Sequence, residues 1–245
     1  LVFFGTETTI GTTSTQDDMY IRWSDQESID ASTSYTPSAT NTAGTQRLAD
    51  GTRIVAAIRG RDAIYIWTDT SLFVMRFVGA PFVFSFQQVG TNCGLIGKNA
   101  AVEVDGAAYW MSENGFFRYT GKLESLACLV EDYVYDDINT VPKNHIFAGL
   151  NNLFGEVTWF YPGSGAASNN RSVTYNYMDS TIERPIWTTS SLARSSWSDS
   201  HIFGKPHGTE YDSSATSDAT VGNTDGVTTY YEHETGTNQI KAGAT

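Results

Sequence analysis

Apolar and polar residues alternate along most of the chain, and short polar turns separate the alternating segments. The strongest segments join aromatic, β-branched and other apolar residues in short runs, at 19–23, 64–67, 107–111 and 156–161. Short runs of this composition with a period of two are typical of strands. Weaker strand patterns occupy 53–58, 82–86 and 101–104. The pattern predicts an all-β fold.

Each of the four strong segments has a tryptophan at or near its end, namely Trp23, Trp67, Trp110 and Trp159. These tryptophans recur at intervals of about 45 residues, the length that one four-stranded propeller blade needs. Because a blade buries its faces only against neighbouring blades, we interpret the four side chains as structural anchors between blades. The repeat predicts a β-propeller-like fold of about five to six blades of roughly 45 residues each.

Two alternatives account for the same tryptophans. Six tryptophans spread along the chain can look periodic by chance, and a β-sandwich also contains many short strands. A sandwich, however, has turns every 8–12 residues or so without a longer period, and the longer period favours blades. Asp50-Gly51 and Asp105-Gly106 are predicted as blade corners, and Asn114-Gly115 as a tight hairpin turn with positive φ values.

Three segments depart from this repeat. Apolar residues at helical spacing predict one short helix near residues 126–138. A further pair of tryptophans, Trp187 and Trp197, follows Pro185, and the polar run 211–228 is predicted as a loop or insertion. We expect residues 1–245 to form a single propeller-like domain and, since the chain opens without Met inside an apolar run, to be a fragment of a longer protein.

The charge balance argues against binding of nucleic acid or anionic lipid. The 245 residues include 15 basic and 27 acidic side chains, which gives a net charge of −12. Such a surface repels phosphate groups as a whole. No apolar run is long enough to predict a membrane-spanning segment. Cys93 and Cys128 lack metal-site spacing, and both are interpreted as buried thiols.

No motif for catalysis, cofactor binding or metal binding emerges. His233-Glu234 opens like a zincin helix but lacks the second histidine. Asp132, Asp136 and Asp137 could hold a cation or, with Glu131, provide an acid–base pair, but on a short helix such residues usually face solvent. Because nucleophile elbows, phosphate-binding loops and dinucleotide fingerprints are also missing from the sequence, we expect a protein that is not an enzyme and needs no cofactor.

Several stretches, taken in order, resemble the tail nozzle or tail hub proteins of podovirus-type bacteriophages. They include Asn92-Cys93-Gly94 and Tyr109-Trp110-Met111, together with 21–27, 41–44, 64–69, 131–139, 156–162 and 175–177. The resemblance extends from 4–6 to 231–236. The Ser- and Thr-rich segment 28–36 and the polar run near the C-terminus depart from it.

The resemblance implies a virion protein, made in the host bacterial cytoplasm, that forms part of the phage tail below the head-to-tail adaptor. It implies a homo-oligomeric ring of six copies that contacts the adaptor and tail fibres or spikes, with genomic DNA passing through during ejection without specific binding. An acidic channel wall would suit that passage because it does not bind phosphate tightly. The alternative prediction is a carbohydrate-binding or glycan-cleaving β-propeller, because exposed tryptophan faces often stack on sugars.

Overall fold

The computed structural model describes residues 1–29, 31–199, 206–212, 227–233 and 239–241. Within these residues the chain forms strands connected by turns, with one α-helix and short 3₁₀ turns at Thr13–Thr15, Ser32–Tyr35 and Lys143–His145. The described strands make five antiparallel sheets, and in every sheet the strand order follows the chain order. The prediction of an all-β fold is therefore confirmed.

The first two sheets contain the first seven strands. The first sheet has three strands, β1 (Val2–Glu7), β2 (Gln16–Trp23) and β3 (Gly44–Arg47). The second sheet has four, β4 (Ile54–Arg59), β5 (Ile64–Thr68), β6 (Ser71–Gly79) and β7 (Val83–Thr91). The weak patterns at 53–58 and 82–86 thus correspond to β4 and to the start of β7.

The other three sheets have four strands each. The third contains β8 (Ala101–Val104), β9 (Ala107–Ser112), β10 (Gly115–Tyr119) and β11 (Leu123–Leu126). The fourth contains β12 (Phe147–Asn151), β13 (Glu156–Tyr161), β14 (Arg171–Asn176) and β15 (Trp187–Ser190). The fifth contains β16 (Ser196–Ser198), β17 (His207–Asp212), β18 (Val227–His233) and β19 (Gln239–Lys241).

The tryptophan repeat marks the same place in successive sheets. The second strand of each of the first four sheets, β2, β5, β9 and β13, contains one of the four tryptophans. The register repeats as well, since Trp67 pairs with Ala56 on the preceding strand and Trp159 pairs with Ala148. A small residue opposite the indole leaves room for the ring on the sheet surface.

The described residues divide into two compact units. Unit 1 comprises Leu1–Ile96, Glu103–Ala108 and Ser112–Glu124, and unit 2 comprises Gly97–Val102, Tyr109–Met111 and the described part of Ser125–Thr245. The prediction of a single domain stays a prediction.

Unit 1 has a core between its first and second sheets. Met19, Ile21 and Trp23 from β2 pack with residues of the second sheet, including Phe73 and Met75 from β6. The ring of Trp23 also lies 5.3 Å from the ring of Phe84 on β7, edge to face. Each sheet therefore buries one of its faces against the other sheet, because neither can bury a face alone.

Unit 2 also packs consecutive sheets against each other. Phe160 on β13 lies 5.3 Å, between ring centres, from Trp197 on β16. The third and fourth sheets also meet, since the ring centres of Tyr109 on β9 and Tyr175 on β14 are 6.1 Å apart. Aromatic rings thus join sheets that follow one another in the chain.

The predicted turns occur where Asp-Gly and Asn-Gly pairs stand. Asp105 and Gly106 both have positive φ, as a two-residue hairpin turn between β8 and β9 requires. Gly51 and Gly115 also have positive φ. Asn114 does not: at the β9–β10 turn the positive φ belongs to Gly115, the first residue of β10, and not to the turn residues Glu113 and Asn114. The prediction of positive φ is right for Gly115 and wrong for Asn114.

The predicted helix is shorter than its apolar pattern suggested. The α-helix α1 spans Glu131–Asp137, whereas Leu126 is the last residue of β11. Val134 is the buried residue of α1, and Leu129, which precedes the helix, is 82% exposed. The predicted start of the helix near residue 126 is therefore wrong, because Leu126, the first apolar residue of the pattern, belongs to a strand. None of the helices described is long and apolar enough to cross a membrane.

The predicted polar loop 211–228 begins and ends in strands. Residues 211–212 belong to β17 and pair with residues 227–228 of β18. Residues 213–226 lie outside the described residues, so the loop itself stays a prediction for that part.

Candidate functional site

The four repeat tryptophans are buried in the cores of the units. The indoles of Trp67, Trp110 and Trp159 have no exposed surface, and Trp23 is 7% exposed. Trp23 donates its indole N–H to the carbonyl of Thr42 at 2.9 Å, and Trp159 donates to the carbonyl of Ala100 at 3.0 Å. Buried rings whose N–H groups are satisfied by backbone stabilise packing and are not available to a ligand.

The acidic residues near α1 do not form a cation site. Asp132 and Asp136 are exposed. Asp137 instead accepts a hydrogen bond from the Arg171 guanidinium at 3.2 Å and another from the backbone N–H of Ser164 at 3.3 Å. Burial, and secondarily the charge of Asp132, raises the pKa of Glu131. Across the described part of the chain, no group of three or more His, Cys, Asp or Glu side chains could hold a metal ion.

The two cysteines are free thiols in different surroundings. Cys93 is buried, as predicted, but Cys128 is only half-buried. Burial raises the pKa of Cys93 to about 11 and that of Cys128 to about 12. Because the thiolate is the reactive form, neither residue is suited to nucleophilic chemistry near neutral pH.

We expect both cysteines to react slowly with iodoacetamide in the folded protein at pH 8. At that pH a thiol with a pKa of about 11 is thiolate in about 1 molecule in 1,000, and one with a pKa of about 12 in about 1 in 10,000. Labelling of half-exposed Cys128 should accelerate about tenfold per pH unit between pH 8 and pH 10, while Cys93 stays protected by burial. Mass spectrometry of peptides after timed labelling measures both rates, with the urea-unfolded protein as control. Labelling of Cys128 at the unfolded rate at pH 8 would contradict the raised pKa.

The candidate site is a groove of about 1080 Å³ in unit 2. That volume is at the upper end of the range for small-molecule sites, so the groove can accommodate a ligand of several rings. Its lining combines amide and hydroxyl side chains with two aromatic rings, and the residues that matter below are Lys98, Asn99, Asn144, His145, Phe147 and Trp197.

Hydrogen bonds to backbone carbonyls hold four separate segments together around this groove. Asn99 and Phe147 form an isolated parallel bridge, in which the Ala148 N–H donates to the Asn99 carbonyl at 2.8 Å. The buried side chain of Asn169 donates to the carbonyls of His145 and Arg194, at 2.8 and 3.1 Å. Asn169 thereby connects the 3₁₀ turn before β12, the β13–β14 loop and the segment before β16.

Trp197 forms an aromatic wall of the groove. Its indole N–H donates to the Leu150 carbonyl at 2.7 Å. The ring lies so close over Gly149 that a Cβ there would be 2.7 Å from the indole, and it contacts Phe160 from β13. Despite these contacts Trp197 is only half-buried. A ring that is held by these contacts and still exposes part of its surface at the groove can serve as a stacking platform.

Two amide side chains at the groove have no hydrogen-bond partner among the described residues, those of Asn99 and Asn144, and both are exposed. His145 is held through its Nδ1, which lies 2.9 Å from the carbonyl of Ala167. The residues described around the groove include no Asp or Glu, and Lys98 is its one permanently charged side chain. The groove can thus exchange hydrogen bonds with a ligand but lacks the carboxylate pair of a glycosidase.

Sequence reasoning missed this groove. Its lining comes from segments scattered between residues 98 and 197 and consists largely of Asn, Ser and Ala, which are common in loops. The available signal was Trp197, which like Trp187 lies outside the 45-residue repeat. No protein-family model matches the chain, and no curated protein matches it either.

Proposed function

We propose that this chain is a structural component of a bacteriophage tail, a nozzle or hub protein that assembles as a ring around the DNA-ejection channel. The proposal starts from the resemblance of the sequence to tail proteins of podovirus-type phages. It includes six copies per ring, contacts with the head-to-tail adaptor and with fibres or spikes, and a β-propeller built from the successive sheets.

One observation carries the proposal, namely that the second strand of four consecutive sheets contains a buried tryptophan. Repetition of one packing unit is the characteristic of propeller blades. The antiparallel order of each sheet, which follows the chain without crossover, agrees with blades as well. The large aromatic residues of the repeat are thus part of the scaffold, as the proposed structural role requires.

The net charge supports the proposed channel. A chain with a charge of −12 repels the DNA backbone, so DNA can pass along it without being bound. The proposal therefore includes a channel surface that is acidic on balance. A channel lined mainly by lysine and arginine would contradict this part of it.

Cryo-electron microscopy of the phage particle tests the proposal directly. We expect density for this chain in a ring of copies below the adaptor, with the sheets arranged around a closed axis in each copy. Absence of the chain from purified particles would contradict the tail assignment. Density in the tail with an open arrangement of sheets would contradict only the propeller.

A hairpin in unit 1 offers a surface for contacts between copies. Strands β6 and β7 have nine residues each and are longer than β4 and β5. The turn between β6 and β7 therefore extends beyond the turn between β4 and β5. Phe77 and Phe82 at the tip of this hairpin are 73% and 77% exposed. Large aromatic side chains exposed on the same hairpin are typical of interaction surfaces. In the proposed ring we assign this tip to a contact with a second copy.

We expect the double variant Phe77→Ser, Phe82→Ser to fold normally but to assemble less, because exposed rings contribute little to the core. Light scattering over a concentration series should show at least a tenfold weaker self-association than in the unaltered protein. The matched control is Gln87→Ser, an exposed position of the same hairpin outside its tip. Equal assembly of the double variant and the control would remove this hairpin from the interface.

The alternative function is a carbohydrate-binding or glycan-cleaving propeller, which requires tryptophans exposed in a cleft and, for cleavage, paired carboxylates beside them. The four repeat tryptophans are buried, and the described residues around the groove of unit 2 include no carboxylate. These observations favour the structural role over glycan cleavage.

A further inference from the structure

The groove of unit 2 has features that a wall of a channel does not need. We propose that it binds an uncharged oligosaccharide, with Trp197 as the stacking platform and with Asn99 and Asn144 as hydrogen-bonding groups. This inference concerns a second, ligand-binding role and does not depend on the tail assignment.

Trp197 provides the apolar part of the proposed recognition. The hydrogen bond to Leu150 fixes one edge of the indole, and Gly149 and Phe160 support it from within the unit. A sugar ring has a face of C–H groups that can lie flat on such an indole, which gains apolar contact without ordering a flexible side chain.

Asn99 and Asn144 provide the polar part. Each amide offers a carbonyl acceptor and an NH₂ donor. Among the described residues neither side chain has an internal partner, so neither must break a protein bond to contact a ligand. Sugar hydroxyls both donate and accept hydrogen bonds, so they can pair with the carbonyl oxygen and with the NH₂ group of each amide. A polypeptide could satisfy the amides through its backbone, but only a proline or aromatic side chain would give it a flat face for the indole.

The charge of the groove disfavours cationic ligands, and the charge of the whole chain disfavours polyanionic ones. The described lining has no carboxylate to attract a cation, and Lys98 is its one permanent charge. The chain as a whole has a charge of −12, which opposes sulfated or other polyanionic glycans. Because the described lining contains no carboxylate pair, the proposed role is binding alone, without bond cleavage.

The test is binding of the full chain to an array of neutral, sialylated and sulfated oligosaccharides, followed by calorimetric titration with malto-, cello- and N-acetylchito-hexaose. We expect one or more neutral glycans to bind. We also expect Trp197→Ala to weaken that binding about tenfold or more. The double variant Asn99→Ala, Asn144→Ala should weaken it several-fold without loss of the native circular dichroism.

Two controls keep the result interpretable. Trp197→Ala removes packing as well as the platform. If that variant unfolds, the Asn99→Ala, Asn144→Ala variant becomes the decisive test, because it removes no internal hydrogen bond. Gln87→Ala removes an exposed amide in unit 1 and should leave binding unchanged. Four results would overturn the proposal: no bound neutral glycan, equal binding by the double asparagine variant, stronger binding of sulfated glycans, or capture of a Gly-Ser peptide in place of glycans.

Discussion

Replacement of Trp159 by alanine is expected to lower the free energy of unfolding by about 3–5 kcal/mol, the largest loss we expect for a single side chain. Trp159 has no exposed surface, so the change leaves a cavity of indole size in unit 2. It also removes the donor at 3.0 Å from the carbonyl of Ala100 and a ring stacked on Trp187. Urea denaturation followed by circular dichroism measures the effect.

Two further variants separate the causes of this loss. Trp159→Phe keeps an aromatic ring but deletes the indole N–H, and we expect it to lose less than Trp159→Ala. Phe82→Ala removes a ring that is 77% exposed and should change stability by no more than about 0.5 kcal/mol. If Trp159→Ala were as stable as Phe82→Ala, the buried indole would not be part of the core.

Gly94→Ala is expected to lower the free energy of unfolding by about 3 kcal/mol. A Cβ at Gly94 would lie 2.1 Å from the carbonyl oxygen of Asp69 and 2.6 Å from the N–H nitrogen of Thr70, both backbone atoms. The turn between β5 and β6 would have to move. The backbone N–H groups of Cys93 and Leu95 oppose that movement, because they donate hydrogen bonds to the Thr70 and Thr68 carbonyls. Thermal unfolding of the purified variant provides the measurement.

Gly90→Ala is the matched control for this prediction. A Cβ at Gly90 would also meet an atom at 2.1 Å, but that atom is the end of the Leu123 side chain, which can rotate away. We expect a loss of about 1 kcal/mol for Gly90→Ala. Equal losses in the two variants would show that close backbone approach at Gly94 is not what restricts that position.

The tryptophan pattern predicted the sheets well because it reflects packing that repeats along the chain. Trp67 and Trp159 have the same position in their sheets and the same small neighbour, Ala56 or Ala148, on the preceding strand. A local pattern can reveal such a repeat since each sheet consists of consecutive strands. Closure around an axis depends on contacts between distant parts of the chain, and no local pattern indicates them.

The helix and the groove show where local patterns fail. Leu126 and Leu129 have helical spacing, yet Leu126 pairs in β11 and Leu129 faces solvent. Pairing with β10 determined the state of Leu126, and the spacing did not. The groove depends on Asn169, whose side chain joins two segments some 25 residues away from it in each direction. Asparagine in a loop normally indicates a turn, so its bridging role becomes visible only in the fold.

The chain-order arrangement of the strands also has a consequence for how the protein folds. Every strand pairs with its nearest neighbours in sequence within each described sheet, so a sheet can form as soon as its own residues have left the ribosome. Closing such short loops is fast, whereas the aromatic contacts between sheets must wait for the next sheet to be synthesised. Until then Trp23, which packs on Phe84 of the second sheet, remains uncovered, and the nascent chain is most prone to aggregation in that interval.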